Sequence, residues 1–293
     1  MHKLITIGIL AIGLAAVGVP AALATAPLQN GQISFGKEDV PDGGHIYTAN
    51  PDGTHEHQLL ADPADCSNWS PDGTRIDVCV IPNPEGLLRS ATLNPGGTAF
   101  NLLDNPDPSL NFFCWAWSPD GRRLACEGGT DPASDRDGIY TMRSSDGGGL
   151  VRLTSSPPSA GVFADACPCS YAPEGNRVSF TRSNTRGQTA IFIVNTDGTG
   201  LHRVTPWGLG GAGGNWSRDG RWIVFGLRDF DYPKGQLLSR GTLYLVHPDG
   251  TGLHKIDIDT NGSWYFAKEP TWSPDATRIL FVMYLGSNGG QPD

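Results

Sequence analysis

The stretch Asn215-Trp-Ser-Arg-Asp-Gly-Arg-Trp-Ile-Val-Phe225 reads as a short strand ending at Trp216, a tight turn at Asp219-Gly220, and a second strand of β-branched and aromatic residues. The phrase returns as Asn68-Trp-Ser-Pro-Asp-Gly-Thr-Arg-Ile76, as Ala116-Trp-Ser-Pro-Asp-Gly-Arg-Arg-Leu124 and as Thr271-Trp-Ser-Pro-Asp-Ala-Thr-Arg-Ile279. A worn copy, Ser170-Tyr-Ala-Pro-Glu-Gly-Asn-Arg-Val178, makes the fifth. One strand pair cannot bury its apolar face alone, so recurrence on this scale predicts stacked or wheeling units, a solenoid or a propeller.

A second phrase alternates with the first. His45-Ile-Tyr-Thr-Ala49 is an aromatic strand, Asn50-Pro-Asp-Gly53 its turn and His57 to Leu60 an outer strand; it recurs around Leu88 to Leu93, Gly138-Ile-Tyr-Thr-Met142, Ala190-Ile-Phe-Ile-Val194 and Thr242-Leu-Tyr-Leu-Val246. Apolar residues fall at alternate positions, so each sheet buries a face, and the Asp-Gly steps supply the backbone angles the turns demand. The tryptophan (or tyrosine) positions 69, 117, 171, 216 and 272 are spaced 48, 54, 45 and 56 residues apart. A period near 50 with four strands each time fits a propeller blade. A β-sandwich also uses many short strands, but they would not repeat the same phrases in the same order.

Residues 1–24 carry Lys3, an apolar run from Leu4 to Val19, and the small-residue site Ala22-Leu23-Ala24. This pattern predicts a secretory signal peptide, since the run is shorter than the roughly 20 residues needed to span a bilayer. The expected divisions are the signal at 1–24, a lead-in at 25–30, one propeller domain at 31–285 and a flexible tail at 286–293. The location follows as extracytoplasmic, periplasmic or secreted, with no integral membrane segment. The chain holds 21 basic and 30 acidic residues, a net charge of -9, and no stretch concentrates the basic ones. A nucleic-acid backbone would be repelled, so nucleic acid is not an expected partner.

All six cysteines follow the leader, an even number in an oxidising compartment. Cys66 and Cys79 lie symmetrically about the Asp72-Gly73 turn and Cys114 and Cys126 nearly so about Asp120-Gly121, which sets each pair on adjacent strands. Cys167 and Cys169 are left to join in a small ring or to exchange partners with a neighbouring hairpin. A zinc site around Cys167-Pro-Cys169 lacks the usual two-residue spacer.

The paired phrases, Trp-Ser-Pro-Asp-Gly-x-Arg-Ile and Ile-Tyr-x-x-Asn-x-Asp-Gly-Thr, resemble the TolB-type propeller repeat, also called the WD40-like or PD40 repeat, over about residues 31–284. The resemblance implies an all-β propeller of four-stranded blades in the six-bladed TolB-like class. Strand counting pulls towards a five-bladed closure, because the first unit lacks its Trp-bearing strand. In that closure Glu269-Pro-Thr-Trp272 would complete the first blade, and Ile279–Val282 would compete with Ile33–Phe35 for one place. The separate N-terminal α/β domain of TolB itself has no counterpart between the leader and the first strand.

The repeated aspartates read as turn formers that bond nearby backbone amides. Arg75, Arg123, Arg177, Arg221 and Arg278, just past the turns, are expected to pair with carboxylates. Trp69, Trp117, Tyr171, Trp216 and Trp272 read as packing residues between sheets, each indole nitrogen with a partner. Functional weight falls on what does not repeat: Trp207, Trp264, Tyr265 and Phe266 as ligand-facing aromatics, with Trp115 and Trp222 as further extra aromatics. Asp229, Asp231, Asp257, Asp259 and Glu269 are weak candidates for a structural calcium, no other cofactor being implied. With no Gly-x-Ser-x-Gly elbow and no His-Glu-x-x-His motif, no catalytic residue is assigned. The sequence therefore points to a monomeric, non-catalytic propeller binding a protein, peptide or glycan on one face. The alternative is a small lyase or metal-assisted hydrolase with loop Asp, Glu and His at the channel mouth.

Overall fold

The structure, a computed structural model, describes residues 5–11, 31–37, 44–80, 89–104, 107, 110–129, 135–155, 162–209, 214–227, 230–231, 236–237, 242–258, 264–273 and 275–286. All of its regular elements are strands. The chain opens with β1 (Ile5–Ala11), followed by a three-stranded sheet of β2 (Ile33–Lys37), β3 (His45–Ala49) and β4 (His57–Gln58). The second unit is β5 (Ala64–Trp69), β6 (Ile76–Val80), β7 (Arg89–Leu93) and β8 (Asn101–Leu102). The third is β9 (Asn111–Trp117), β10 (Arg123–Gly129), β11 (Gly138–Arg143) and β12 (Val151–Arg152). The fourth is β13 (Val162–Tyr171), β14 (Arg177–Asn184), β15 (Thr189–Asn195) and β16 (His202–Arg203).

In the fifth unit β17 (Asn215–Trp216) and β18 (Ile223–Leu227) precede a small hairpin, β19 (Phe230–Asp231) with β20 (Gln236–Leu237). The sheet is then completed by β21 (Thr242–Val246) and β22 (His254–Ile256). The last strands, β23 (Trp264–Trp272) and β24 (Arg278–Gly286), pair antiparallel with each other, and β1 pairs with the outer side of β24.

The six uniform four-stranded blades implied by the resemblance are not found. Among the described residues four sheets have four strands, two have three and the small hairpin has two. The repeat strands, three in β2–β4, sixteen in the four complete units and two in β23 and β24, are enough for five four-stranded blades rather than six. The reason lies at the ends of the repeat array. The first unit has no Trp-bearing strand, and the last supplies only its first two strands before β1 takes the third place. Because β24 lies beside β23, Glu269–Trp272 does not complete the sheet of β2, and β24 and β2 do not compete. The third strand of the β23–β24 sheet, β1, comes from within residues 1–24. The expected cleavage site at 22–24, the expected lead-in at 25–30 and residues 287–293 lie outside the described residues.

Within the complete units the first strand of one sheet packs against the first strand of the next, β5 on β9, β9 on β13, β13 on β17 and β17 on β23. These are the inner strands of the ring. The apolar clusters straddle successive sheets, as expected of blades too small to keep their apolar faces dry alone. Ala116, Ala125 and Ile139 of the third unit pack with Tyr171, Phe180 and Phe192 of the fourth. Ile191 and Ile193 then pack with Trp216, Ile223 and Phe225 of the fifth, and Val224 and Leu243 with Ile279 and Phe281.

The recurring tryptophans take the packing positions, but their nitrogens differ. Trp117 Nε1 donates to Asn68 O at 3.0 Å and Trp272 Nε1 to Asn215 O at 3.2 Å, each reaching back one unit, while the buried nitrogens of Trp69 and Trp216 have no hydrogen-bond partner among the described residues. The arginines also depart from expectation. Arg75 lies 4.7 Å from the Trp117 ring centroid and Arg177 4.7 Å from that of Trp216, again one unit on, and Arg123 bonds Thr141 and Gly149 O. Of these, Arg177 keeps a carboxylate, Glu174, at 3.4 Å, yet its main surface is the aromatic face.

Candidate functional site

The inner strands start at one end of the ring and finish at the Asp-Gly turns at the other. None of β5, β9, β13, β17 or β23 contains a histidine. They carry aromatics instead. On β9, Phe113 and Trp115 are two residues apart, so strand alternation puts them on one face. Their rings stack 6.5 Å apart and both are half-buried. Trp264, Tyr265 and Phe266 open β23 at the same end; their side chains lie outside the described residues. Trp115 stood out in the sequence as a non-repeating aromatic, but Phe113 did not, although the spacing of the two was the available signal.

Trp207 follows β16 in the loop leading to β17, which places it at this end too. It is half-buried, 5.6 Å from the Phe192 ring, with the Arg203 guanidinium 5.5 Å from its own ring. Behind it, the Phe192 and Phe180 rings lie 5.9 Å apart, tilted by 34°, under the guanidinium of Arg182. Arg182 grips Asp165 of the inner strand in a two-pronged, buried pair, Nε to Oδ1 at 2.5 Å and Nη2 to Oδ2 at 2.6 Å. Thr154 Oγ1 donates to the same carboxylate at 2.6 Å. With its oxygens fully engaged, Asp165 serves to fix β13 against β14 rather than to meet a ligand.

Glu127 of β10 lies beside this group and accepts the Cys167 N–H at 3.1 Å. Burial pushes its carboxyl above the ordinary carboxylate range; the Cys167 N–H opposes the rise, and Asp165 and Asp137 add to it. No local pattern in the sequence marks Glu127, because the contact joins residues 40 apart. Disulfides close between Cys66 and Cys79, Cys114 and Cys126, and Cys167 and Cys169.

The histidines lie elsewhere. His45 is buried on β3 against Gln58, His57 is exposed on β4, and His202 and His254 occupy the outer strands β16 and β22. At the turn end, His202 and His247 line an open cavity of about 460 Å³ between the fourth and fifth units, with Arg177, Arg221 and Asp249. His202 Nδ1 faces Gly200 O at 2.8 Å and His247 Nδ1 faces Arg221 O at 2.7 Å, so both rings are tied to turn carbonyls. Trp222, in the place held by arginine in the other units, stacks on His247 at 3.8 Å.

Of the calcium candidates, Asp257 is exposed, Asp229 and Asp259 lie outside the described residues, and Asp231 and Glu269 are placed by backbone alone. Among the described residues no group of three or more His, Cys, Asp or Glu side chains is placed to hold a metal ion. The repeated turn aspartates are occupied locally. Asp72 accepts from Ser70 Oγ at 2.6 Å and Thr74 N at 3.1 Å, and Asp219 from Ser217 Oγ at 2.6 Å and Arg221 N at 3.0 Å.

The arrangement of sheets can be compared with solved structures. A TolB-type protein from Agrobacterium tumefaciens superposes with a TM-score of 0.64 at 21% identity, over 83% of this chain and 84% of that one. TolB from Acinetobacter baumannii gives 0.60 at 19% identity, over 89% of this chain and 65% of that one. The fold is that of the TolB-like β-propellers. Enzymes share it: an oligogalacturonate lyase in complex with manganese superposes with a TM-score of 0.53 at 12% identity, over 88% of this chain and 87% of that one. In sequence, the chain is 28% identical over 264 residues to an uncharacterised Agrobacterium fabrum protein, Atu1656, covering 74% of this chain and 84% of the relative. No family model matches. Among the described residues no helix is long and apolar enough to cross a membrane.

Proposed function

We propose that this TolB-like propeller is a non-catalytic, extracytoplasmic binding module that takes a protein, peptide or glycan at the end of the ring where the inner strands begin. The observation that carries the reading is the stacked, half-buried pair Phe113 and Trp115 on an inner strand, with no histidine on any of the five inner strands. Aromatic faces held by a rigid sheet suit apolar side chains and sugar rings, and they give up little rotamer freedom on binding. Trp207 and the Trp264–Phe266 segment belong to the same end and would widen the surface. Export rests on the character of residues 1–24.

The rival, a lyase or metal-assisted hydrolase, draws on the shared fold of the manganese-bound lyase and on His202 and His247 meeting at the turn-end cavity. Screening the whole chain against glycan and peptide arrays, followed by titration of each hit on Trp115→Ala and His202→Ala, separates the two. The binding reading expects at least one hit whose affinity falls about tenfold or more in Trp115→Ala, with an unchanged melting curve. Hits indifferent to Trp115, or turnover of an oligosaccharide abolished by His202→Ala, would overturn it.

A further inference from the structure

The three disulfides are not alike. Cys66–Cys79 and Cys114–Cys126 join β5 to β6 and β9 to β10 across 13 and 12 residues. In the fourth unit, β14 presents Ser179 and Thr181 to β13 and has no cysteine to offer. Both cysteines instead sit in the bulge between Ala166 and Ser170, and the bond closes a ring across a separation of only 2 residues. Stabilisation by a cross-link grows with the loop it closes, so this bond holds the fold together least. It is also the bond with both cysteines half-buried: Cys66 is half-buried but its partner Cys79 is 1% exposed, and Cys114 and Cys126 are both 0% exposed.

We propose that Cys167–Cys169 is a thiol-exchanging disulfide, opened and closed by an external thiol while the other two stay shut, and that Glu127 handles its proton. An external thiolate attacks Cys169 Sγ, forming a mixed disulfide; the S–S electron pair leaves on Cys167, which takes a proton from the Glu127 carboxyl. A second external thiolate displaces Cys169 from the mixed disulfide, which gives the oxidised external disulfide and a Cys169 thiolate; solvent protonates that thiolate and returns the Glu127 proton. Two groups receive the opened form. The Cys167 carbonyl oxygen, 2.8 Å from Cys169 Sγ, accepts a hydrogen bond from the Cys169 thiol, and Glu127 already contacts the Cys167 backbone. A raised Glu127 carboxyl keeps a proton on hand at a pH where an ordinary carboxylate has none. The charged groups facing Glu127 are Asp165 and Asp137, the former neutralised by Arg182.

The test incubates the native chain in glutathione buffers of graded redox ratio, traps thiols by alkylation and maps them by mass spectrometry. Alkylation of Cys167 and Cys169 should reach half at a ratio at least tenfold less reducing than any other pair requires. Glu127→Gln should slow opening about tenfold at neutral pH and flatten its pH profile, with an unchanged melting curve. Cys167→Ser with Cys169→Ser should stay folded and lose the early step. Simultaneous opening of all three bonds, or a Cys167–Cys169 bond that opens only in denaturant, would refute the exchange. A Glu127→Gln profile like the parent's would refute the role of Glu127.

Discussion

Trp216 is 6% exposed, packs with Ile191 and Ile223 in the seam between the fourth and fifth units, and has the Arg177 guanidinium over its ring. Truncation to alanine leaves a void that neighbouring strands cannot fill, and large aromatic deletions of this kind cost about 3–5 kcal/mol. Trp216→Ala should lower the melting temperature sharply by calorimetry, while the fraction still folded keeps its ligand affinity; a variant that melts like the parent would remove the packing role. Asp77 is the opposite case, a polar group where the other units have apolar residues or serine. It is fully buried on β6, no ordinary hydrogen bond from the described residues reaches either carboxylate oxygen, and burial pushes its carboxyl well above the usual range against an opposing effect of the Asn68 side chain. The folded state therefore holds this proton at pH values where the unfolded chain, with an aspartate near about 3.9, has released it. That contribution is complete below about pH 4 and is lost as pH rises towards the folded-state value. Asp77→Asn removes the titration, so its denaturation midpoint should exceed the parent's by a margin that widens between pH 4 and pH 8. A constant margin would mean that Asp77 does not titrate across this interval.

Turns hold the strands in their blades, and they come in two kinds. In the Ser-Pro-Asp-Gly turn of the second unit, Ser70 Oγ takes the Arg75 N–H and donates to Asp72; the worn fourth copy has Ala172 and keeps only the backbone bonds Ala172 N to Arg177 O and Gly175 N to Ala172 O. In the outer Asp-Gly turn, the glycine also meets the neighbouring unit. A Cβ on Gly147, at φ +79°, would lie 2.1 Å from Asp104 O, whereas one on Gly53, at φ +81°, would meet nothing within 4 Å. Both positions need the left-handed backbone, so alanine costs about 1–2 kcal/mol at each. Only at Gly147 must the two sheets also move apart. Gly53→Ala should lower the melting temperature by a few degrees and Gly147→Ala by clearly more; equal losses would mean that the sheets yield freely at this seam.

The ring was legible in the sequence because each unit repeats its own signals locally, from the Trp-bearing strand through the Asp-Gly turn to the alternating strand. The strand count was legible too; the six-bladed class taken from the resemblance failed at β23, β24 and β1, where the third strand of a sheet comes from some 270 residues earlier in the chain. The end where the inner strands begin was half legible: Trp115 broke the repeat, but Glu127 meets Cys167 only through the packing of β10 on β13, and Arg182 meets Asp165 through a β13–β14 register that the bulge between Ala166 and Ser170 shifts. The shape of the last sheet makes one further test. Ile5 to Ala11 pairs in register with Tyr284 to Arg278, so β24 has neighbours on both sides in the full chain. Alternate amides of an antiparallel strand point to opposite neighbours. Removing residues 1–24 should therefore speed hydrogen exchange at about half of the amides between Arg278 and Tyr284, leaving those bonded to β23 slow. Residues of β9–β16, on the far side of the ring from this edge, should exchange as before. Equal protection of β24 in both chains would show that β1 does not occupy the edge in solution. Faster exchange in every unit would show instead that the leader strand supports the whole ring, because an open edge at one blade loosens the packing that each blade draws from its neighbours.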